Sequence, residues 1–338
     1  KLALGLVEPA RRLPLAELLA NAIGYARNGI AVTGNQAHTT AAKLEGLKRA
    51  PGFGETFLID GNAPAPGDTL KQTALADTLE GLAENGLRTF YDGDIARTHA
   101  RFLAEYGSPL RFEDFTAYAA ERVVPLSVET SLGTLHNMIP PTQGVASLMI
   151  LALFDRLAVQ DGEGFAHLHG IVEATKQAFL LRNSGLGDAA FMHEPASAWL
   201  ADANLDALAA EIDMSRALPW PHEAKQGDTI WMGAADREGT VVSYIQSVFW
   251  EFGSGLTCPE TGVFFQNRGA GFSLAPGPNQ LAPGKRSFHT LNPALAHLAD
   301  GRVMAYGTMG GEGQPQTQAA VFTRYAQFGM GLQLSLIH

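Results

Sequence analysis

The chain has 338 residues, 46% apolar and 17% charged, enough for one large domain or two ordinary ones with a sizeable core. Its net charge of −10 argues against a nucleic-acid partner, which needs a basic face, and no run of lysine or arginine calls for an anionic membrane surface. The single cysteine, Cys258, cannot close an internal disulfide, and no Cys/His cluster has zinc spacing, so neither a metal nor a cofactor is expected. No apolar run reaches the roughly 18 residues that suggest a membrane span. A reducing cytoplasm fits this cysteine usage; the periplasm or secretion stays open, because the chain starts at Lys1 without a Met or a visible leader.

Residues 1–125 read as mainly helical. In 68–86 a stripe of Leu70, Ala74, Leu75, Leu79 and Leu82 predicts a helix that stops at Asn-Gly, and 92–107 and 112–121 predict two more. The period changes to that of strands over 123–138. A rigid Pro-Pro turn (139–144) then leads into a nearly all-apolar, buried helix over 144–157. A helix over 163–182 carries Phe165, Leu168, Val172 and Phe179 at helical intervals. Residues 183–227 read as a connector with one short helix near 204–212. Beyond Thr229 short apolar runs separated by Gly, Asp and Pro predict a mostly antiparallel sheet, with hairpin loops at 236–239 and 298–302. A helix is expected after Gly313.

Several stretches carry candidate chemistry. Adjacent glycines in GTMGGEGQ (307–314) let backbone N–H groups converge on an anion or oxyanion; a flexible strand–helix turn is the plainer alternative. GAGFSL (269–274) lacks the third glycine and the βαβ setting of a dinucleotide fingerprint. His167 and His169 lie two apart on a helix and face different ways, so they read as surface and core histidines rather than a metal pair. Asp92 and Asp94 read as helix-start residues. Lys285, Arg286, His289 and Thr290 crowd one loop, either a solvated basic loop or a pocket for a small carboxylate.

Taken in order, NGLRTFYDGDIA, IPPTQGVASLMIL, HLHGIVEATKQAFLLRNSGLGD, DTIWMGAAD, FGSGLTCPETGVFFQN, APGKR and GTMGGEGQ resemble the γ-glutamyltransferase superfamily of N-terminal-nucleophile hydrolases across about 1–333. The resemblance implies an α+β fold, a four-layer αββα sandwich, of which this chain would be an incomplete fragment. It implies a precursor that cuts itself between Asp228 and Thr229 into a large and a small subunit. Residues 1–228 would be the C-terminal part of the large subunit and 229–333 the N-terminal part of the small one. Residues 334–338 are expected to be a non-native tail.

The resemblance also assigns roles. Thr229 would be the nucleophile and, through its freed α-amino group, its own base. Ser247 would support that hydroxyl, and the N–H groups of Gly310 and Gly311 would form the oxyanion hole. Where authentic γ-glutamyl enzymes hold the substrate's α-ammonium, this chain has Phe249, Arg268 and Gly271; in place of the carboxylate-binding serine pair it has His289 and Thr290. Acceptors for an ammonium are replaced by a guanidinium and an aromatic ring. FFQNRGAGFSL and APGKRSFHTLNPALA are similar to the oxamate amidohydrolase branch. The implied partner is therefore a small carboxylate amide, held by Arg268, His289 and Thr290. A γ-glutamyltransferase or glutathione hydrolase, a related acylase, and an inactive homologue that only binds a ligand are the alternatives.

Overall fold

A computed structural model of the chain describes residues 12–220 and 229–337. In chain order the elements are helix α1 (Leu15–Asn28), strand β1 (Ile30–Ala31), α2 (Gly34–Leu47), α3 (Phe53–Phe57), β2 (Thr69–Leu70), α4 (Thr73–Asn85), α5 (Thr89–Asp92), α6 (Asp94–Glu105) and α7 (Phe112–Thr116). Then come β3 (Leu126–Thr130), β4 (Gly133–Asn137), α8 (Gly144–Arg156), α9 (Phe165–Gly185), α10 (Ala196–Trp199) and α11 (Asp202–Ala210). Beyond residue 228 lie β5 (Ile230–Ala235), β6 (Val241–Gln246), β7 (Thr257–Cys258), β8 (Val263–Phe264), β9 (Ala294–Leu298), β10 (Val303–Tyr306), α12 (Gln314–Phe322) and α13 (Leu332–Ile337).

The chain folds as two compact units. One is built from the residues up to 122 together with 251–266, the other from 123–250 and 267 onward. The first unit is helical, as its sequence predicts. Leu15 and Leu19 of α1 pack with Leu82 of α4 and with Leu87, and Phe53, Phe57 and Phe252 form a separate aromatic cluster. The stripe assigned to one helix over 68–86 divides. Thr69 and Leu70 pair with Ala31 and Ile30 as a two-stranded ladder, and the helix starts only at Thr73. A short strand wins there because Leu70 is buried with Val32 and Ala37 rather than with the α4 face. His99 of α6 is fully buried, 2.8 Å from the Thr261 hydroxyl, and burial lowers its pKa to about 4.

The second unit holds the main core. Its four-stranded antiparallel sheet runs β10–β9–β4–β3, and Leu135, Ala294, Ala296 and Leu298 face the buried residues of α8. Every residue of α8 from Gly144 to Phe154 is buried, as its continuous apolar run predicts. Helix α9 departs from its predicted face in part: Phe179 is buried, but Phe165, Leu168 and Val172 are exposed, and His167, Gly170, Ile171, Ala174 and Ala178 point inward. The small residues let the helices approach closely, for a Cβ on Gly170 would stand 3.1 Å from Phe154 and Leu157.

His167 is a satisfied core histidine. Its Nδ1 accepts the Glu163 N–H, and its Nε2 is 2.9 Å from a Thr323 hydroxyl that itself donates to the Ala319 carbonyl, so Nε2 carries the proton. His169 lies on the exposed side, 2.9 Å from the Asp213 carbonyl. The segment predicted as a plain connector also contributes to the core, through Ala196, Trp199, Leu205 and Ile212. The strands after Thr229 do not form one sheet. β5 and β6 are a separate hairpin, β7 and β8 pair in the first unit, and β9 and β10 complete the four-stranded sheet. Both predicted hairpin loops are present, with Gly239 and Gly301 at positive φ. Among the described residues no helix is long and apolar enough to cross a membrane.

Candidate active site

The residues given catalytic or substrate-holding roles, Thr229, Ser247, Phe249, Arg268, His289, Thr290, Gly310 and Gly311, fall in the second unit, and Asp228 lies outside the described residues. Thr229 immediately precedes β5. The β5–β6 register pairs Ile230 with Gln246, so one further step sets Thr229 opposite Ser247 at the open end of the hairpin. Both residues are half-buried. The Ser247 hydroxyl accepts the Phe249 N–H at 2.9 Å, which leaves its own proton to donate.

Trp231, two residues past Thr229, fixes this strand. Its indole N–H donates to the Ser243 hydroxyl at 3.0 Å, and its ring fills the space where a side chain at Gly307 would stand. A Cβ at Gly307 would stand only 2.1 Å from Trp231 Cδ1. The strand that starts at Thr229 is thereby docked on the segment that runs from β10 to the glycine pair.

Gly310 (φ 114°, ψ 24°) and Gly311 (φ 55°) both occupy backbone conformations that side chains disfavour. They open a 3₁₀ turn, Gly311–Gly313, that feeds directly into α12. The Gly310 carbonyl accepts the Gly313 N–H at 3.0 Å, and the Gly311 carbonyl accepts Gln143 Nε2 at 2.9 Å.

Arg268 is 9% exposed and sits in the 3₁₀ turn Arg268–Gly271. Its guanidinium lies 3.7 Å from the centre of the Phe249 ring and donates to the Thr290 hydroxyl at 3.4 Å. A Cβ at Gly271 would be 2.9 Å from Arg268 Nη2, so glycine there leaves the guanidinium its room. Burial lowers the Arg268 pKa to about 10 against the opposing charge of Glu312, and the group stays cationic at neutral pH. Phe249 has φ 81°, an outlier for a bulky side chain, at the point where its ring meets Arg268.

His289 is held at both backbone ends. Its N–H donates to the Pro141 carbonyl at 2.8 Å, and its carbonyl accepts the Gln143 N–H at 3.0 Å. Its Nδ1 accepts the Leu291 N–H, so in the neutral ring Nε2 bears the proton. Lys285 of the same loop lies against the Phe191 ring, 4.5 Å away, and donates to the Gly277 carbonyl; the Arg286 N–H donates to Asp188. The loop therefore divides, with its basic end engaged by Phe191 and Asp188 and its His289–Thr290 end meeting Arg268 and Gln143.

Two residues without an assigned role in the motifs, Gln143 and Arg182, tie these parts together. Gln143, fully buried, donates through Nε2 to the Thr290 and Gly311 carbonyls and accepts Arg182 Nη1 on Oε1. Arg182 also donates to the Glu312 carbonyl and lies 3.4 Å from its carboxylate. The contacts form a closed circuit: Thr229 and Ser247 by register, Ser247 to Phe249, Phe249 to Arg268, Arg268 to Thr290, Thr290 through Gln143 to Gly311, and Gly307 back to Trp231. A hydroxyl beside a strand start, a cation bonded to a second hydroxyl, and a constrained Gly-Gly turn are parts that acyl transfer on a small anionic amide can use. Among the described residues no group of three or more His, Cys, Asp or Glu side chains is arranged to hold a metal ion.

Comparison with known proteins places the chain in a family. The family model of gamma-glutamyltranspeptidase matches residues 9–336. The chain is 51% identical over 327 residues to the oxamate amidohydrolase proenzyme of Klebsiella pneumoniae, covering 96% of this chain and 62% of that protein. It is 38% identical over 329 residues to the glutathione hydrolase-like YwrD proenzyme of Bacillus subtilis, with the same coverage of 96% and 62%. The crystal structure of cephalosporin acylase from Bacillus halodurans superposes with a TM-score of 0.89 at 32% identity, over 97% of this chain and 62% of that one. The chain thus spans 62% of the length of these curated relatives. Its α+β fold is of the N-terminal-nucleophile hydrolase type, and the chain belongs to the gamma-glutamyltranspeptidase family.

Proposed function

We propose that the full protein is a self-cleaving threonine amidohydrolase for a small carboxylate amide, with oxamate the best-fitting substrate. The observation that carries this reading is Arg268. It is a buried guanidinium, faced by Phe249 and bonded to Thr290, in a circuit that also includes Thr229 and the Gly310–Gly311 turn. Such a group attracts a carboxylate and repels an α-ammonium. The 51% identity to an oxamate amidohydrolase proenzyme supports the same choice.

In the precursor the Thr229 hydroxyl attacks the Asp228 carbonyl carbon. The peptide C–N bond breaks as an ester forms, which frees the Thr229 α-amine, and water then hydrolyses that ester to release the Thr229 hydroxyl and a new carboxyl terminus on Asp228. An α-amine titrates at roughly 7.7–8, so near neutral pH much of it is free to take the proton of its own hydroxyl. With substrate held through its carboxylate by Arg268, Thr290 and His289, the Thr229 oxygen adds to the amide carbon. The α-amine takes the hydroxyl proton and passes it to the departing nitrogen, which leaves as ammonia. Water, deprotonated by the same amine, then cleaves the acyl-threonine and restores the enzyme. One water is consumed and one ammonia released per turnover. The Gly310 and Gly311 N–H groups stabilise the oxyanion of both additions, and one such donor is worth about 3–4 kcal/mol of barrier.

The large and small pieces of the precursor, divided at residue 228, remain partners in this reading. A reducing cytoplasm is the compartment it favours, given one cysteine, Cys258, which is buried.

A γ-glutamyl reading has one observation in its favour. Glu312, next to Gly311, is a carboxylate near the site, but Arg182 already lies against it. The discriminating experiment is ammonia release by the complete gene product. Hydrolysis of oxamate that is lost in Thr229→Ala supports the proposal; faster turnover of γ-glutamyl-p-nitroanilide than of oxamate overturns the choice of substrate.

A further inference from the structure

We propose that Gln143, oriented by Arg182, is a positioning and specificity-determining residue that sets the separation between the carboxylate-holding Thr290 and the oxyanion turn at Gly311. The inference rests on the reading above and deepens it.

Gln143 bridges the two halves of the site within a single side chain. Its two Nε2 hydrogens go to the Thr290 carbonyl at 2.8 Å and the Gly311 carbonyl at 2.9 Å. Its backbone N–H donates to the carbonyl of His289, the residue before Thr290 in the same loop. The orientation of the carboxamide is forced. Arg182 can only donate, so it must meet Oε1, and the two carbonyls can only accept, so they must meet Nε2. Arg182 is 4% exposed and burial lowers its pKa to about 10, so it remains a charged donor at neutral pH. It is itself held over the Phe179 ring at 3.6 Å.

The glycine turn depends on this bridge. The peptide plane between Gly310 and Gly311 is held by Gly313 N–H on the Gly310 carbonyl, and the next plane by Gln143 on the Gly311 carbonyl. Rotating either plane breaks one of those bonds; the first plane carries the Gly311 N–H, and Gln143 holds the plane that adjoins it across the Gly311 Cα. Two glycines at positive φ have no side chain to resist that rotation. Because the same carboxamide grips Thr290, the distance from carboxylate site to oxyanion site, and hence the length of acyl group accepted, is fixed by one buried residue anchored at the start of α8.

The test uses the complete gene product, its Gln143→Met variant, which keeps volume without the hydrogen bonds, and Arg182→Lys, which keeps the charge but loses the guanidinium that meets Gln143 Oε1 and the Glu312 carbonyl. Rates are measured on oxamate, malonamate and succinamate, each one methylene longer than the last. Loss of folded protein lowers all three by one factor. Loss of the spacer lowers the oxamate rate and shifts the ratio toward the longer acids, by about tenfold to a hundredfold for a displacement of about 1 Å. Self-cleaved variants with the parental ratios overturn the proposal, and Arg182→Lys gives the answer if Gln143→Met does not fold.

A second readout separates this inference from the choice of substrate: the rate at which a small sulfonyl fluoride modifies Thr229, followed by mass. If the parent hydrolyses none of the three acids but is modified at Thr229, the substrate reading fails. Slower modification in Gln143→Met then still supports the positioning role, and an unchanged rate overturns it. A parent that is neither cleaved nor modified removes the nucleophile and, with it, the role of Gln143.

Discussion

Phe249 combines two effects of opposite sign, and two substitutions separate them. At φ 81° a side chain costs roughly 1–2 kcal/mol relative to ordinary backbone. Its ring returns about 0.5–2 kcal/mol through the guanidinium of Arg268, 3.7 Å away, plus the value of a half-buried aromatic. Phe249→Ala loses the ring and keeps the strain. Phe249→Gly loses the ring and the strain, but gains about 0.4–1 kcal/mol of unfolded-chain entropy against it. Glycine should therefore be more stable than alanine by about 1 kcal/mol, the reverse of the usual order. Denaturant midpoints of the two variants in the full-length protein measure the difference. In the proposed reaction both lose the aromatic face of Arg268, and KM for oxamate should rise about tenfold with a smaller change in kcat. Alanine equal to or better than glycine refutes the strained backbone; an unchanged KM in both refutes the coupling of Phe249 to the carboxylate site.

Two further predictions follow from contacts elsewhere. Gly307→Ala places a Cβ where the Trp231 indole lies, and overpacking of this kind costs about 1–3 kcal/mol. The strand at Thr229 must shift, so self-cleavage slows when the precursor is followed by gel, while the conservative Gly24→Ala, with open space around its Cβ, leaves it unchanged. His99 is neutral when buried. Its folded pKa, about 4, lies below the ordinary 6.5, so the unfolded state binds the proton first as pH falls. The stability of the first unit should hold above pH 6.5 and decline between 6.5 and 4, by about 3 kcal/mol in total. Hydrogen exchange in α6 should follow that decline in the parent and lose most of it in His99→Gln; equal slopes in both would contradict the assignment.

Much of this architecture is legible from the chain. The continuous apolar run of α8 has no polar face to expose, and the two hairpin loops carry glycine where positive φ is needed. Helix α9 is misread because large apolar residues dominate a periodicity count. Its buried face, beside Ile171 and Phe179, includes Gly170, Ala174 and Ala178, whose value is close approach rather than hydrophobic area. Leu70 is misread because a two-residue strand leaves no periodic pattern. Within the site, the motifs mark Thr229, Arg268 and the glycine pair. Gln143 and Arg182 carry no local signal, since their roles arise from bonds to residues 147, 168 and 130 positions away. A buried glutamine directly after a Pro-Pro turn and before an all-apolar helix is the one hint the chain gives.

The central claim is that Thr229 cuts its own precursor and then serves as the catalytic nucleophile. The most direct measurement is the intact mass of the protein expressed from its complete gene, beside Thr229→Ala. The parent should give two fragments, the second beginning at Thr229, and the variant one uncut chain. A parent that folds and stays whole, or a Thr229→Ala chain cut at the same bond, would contradict it.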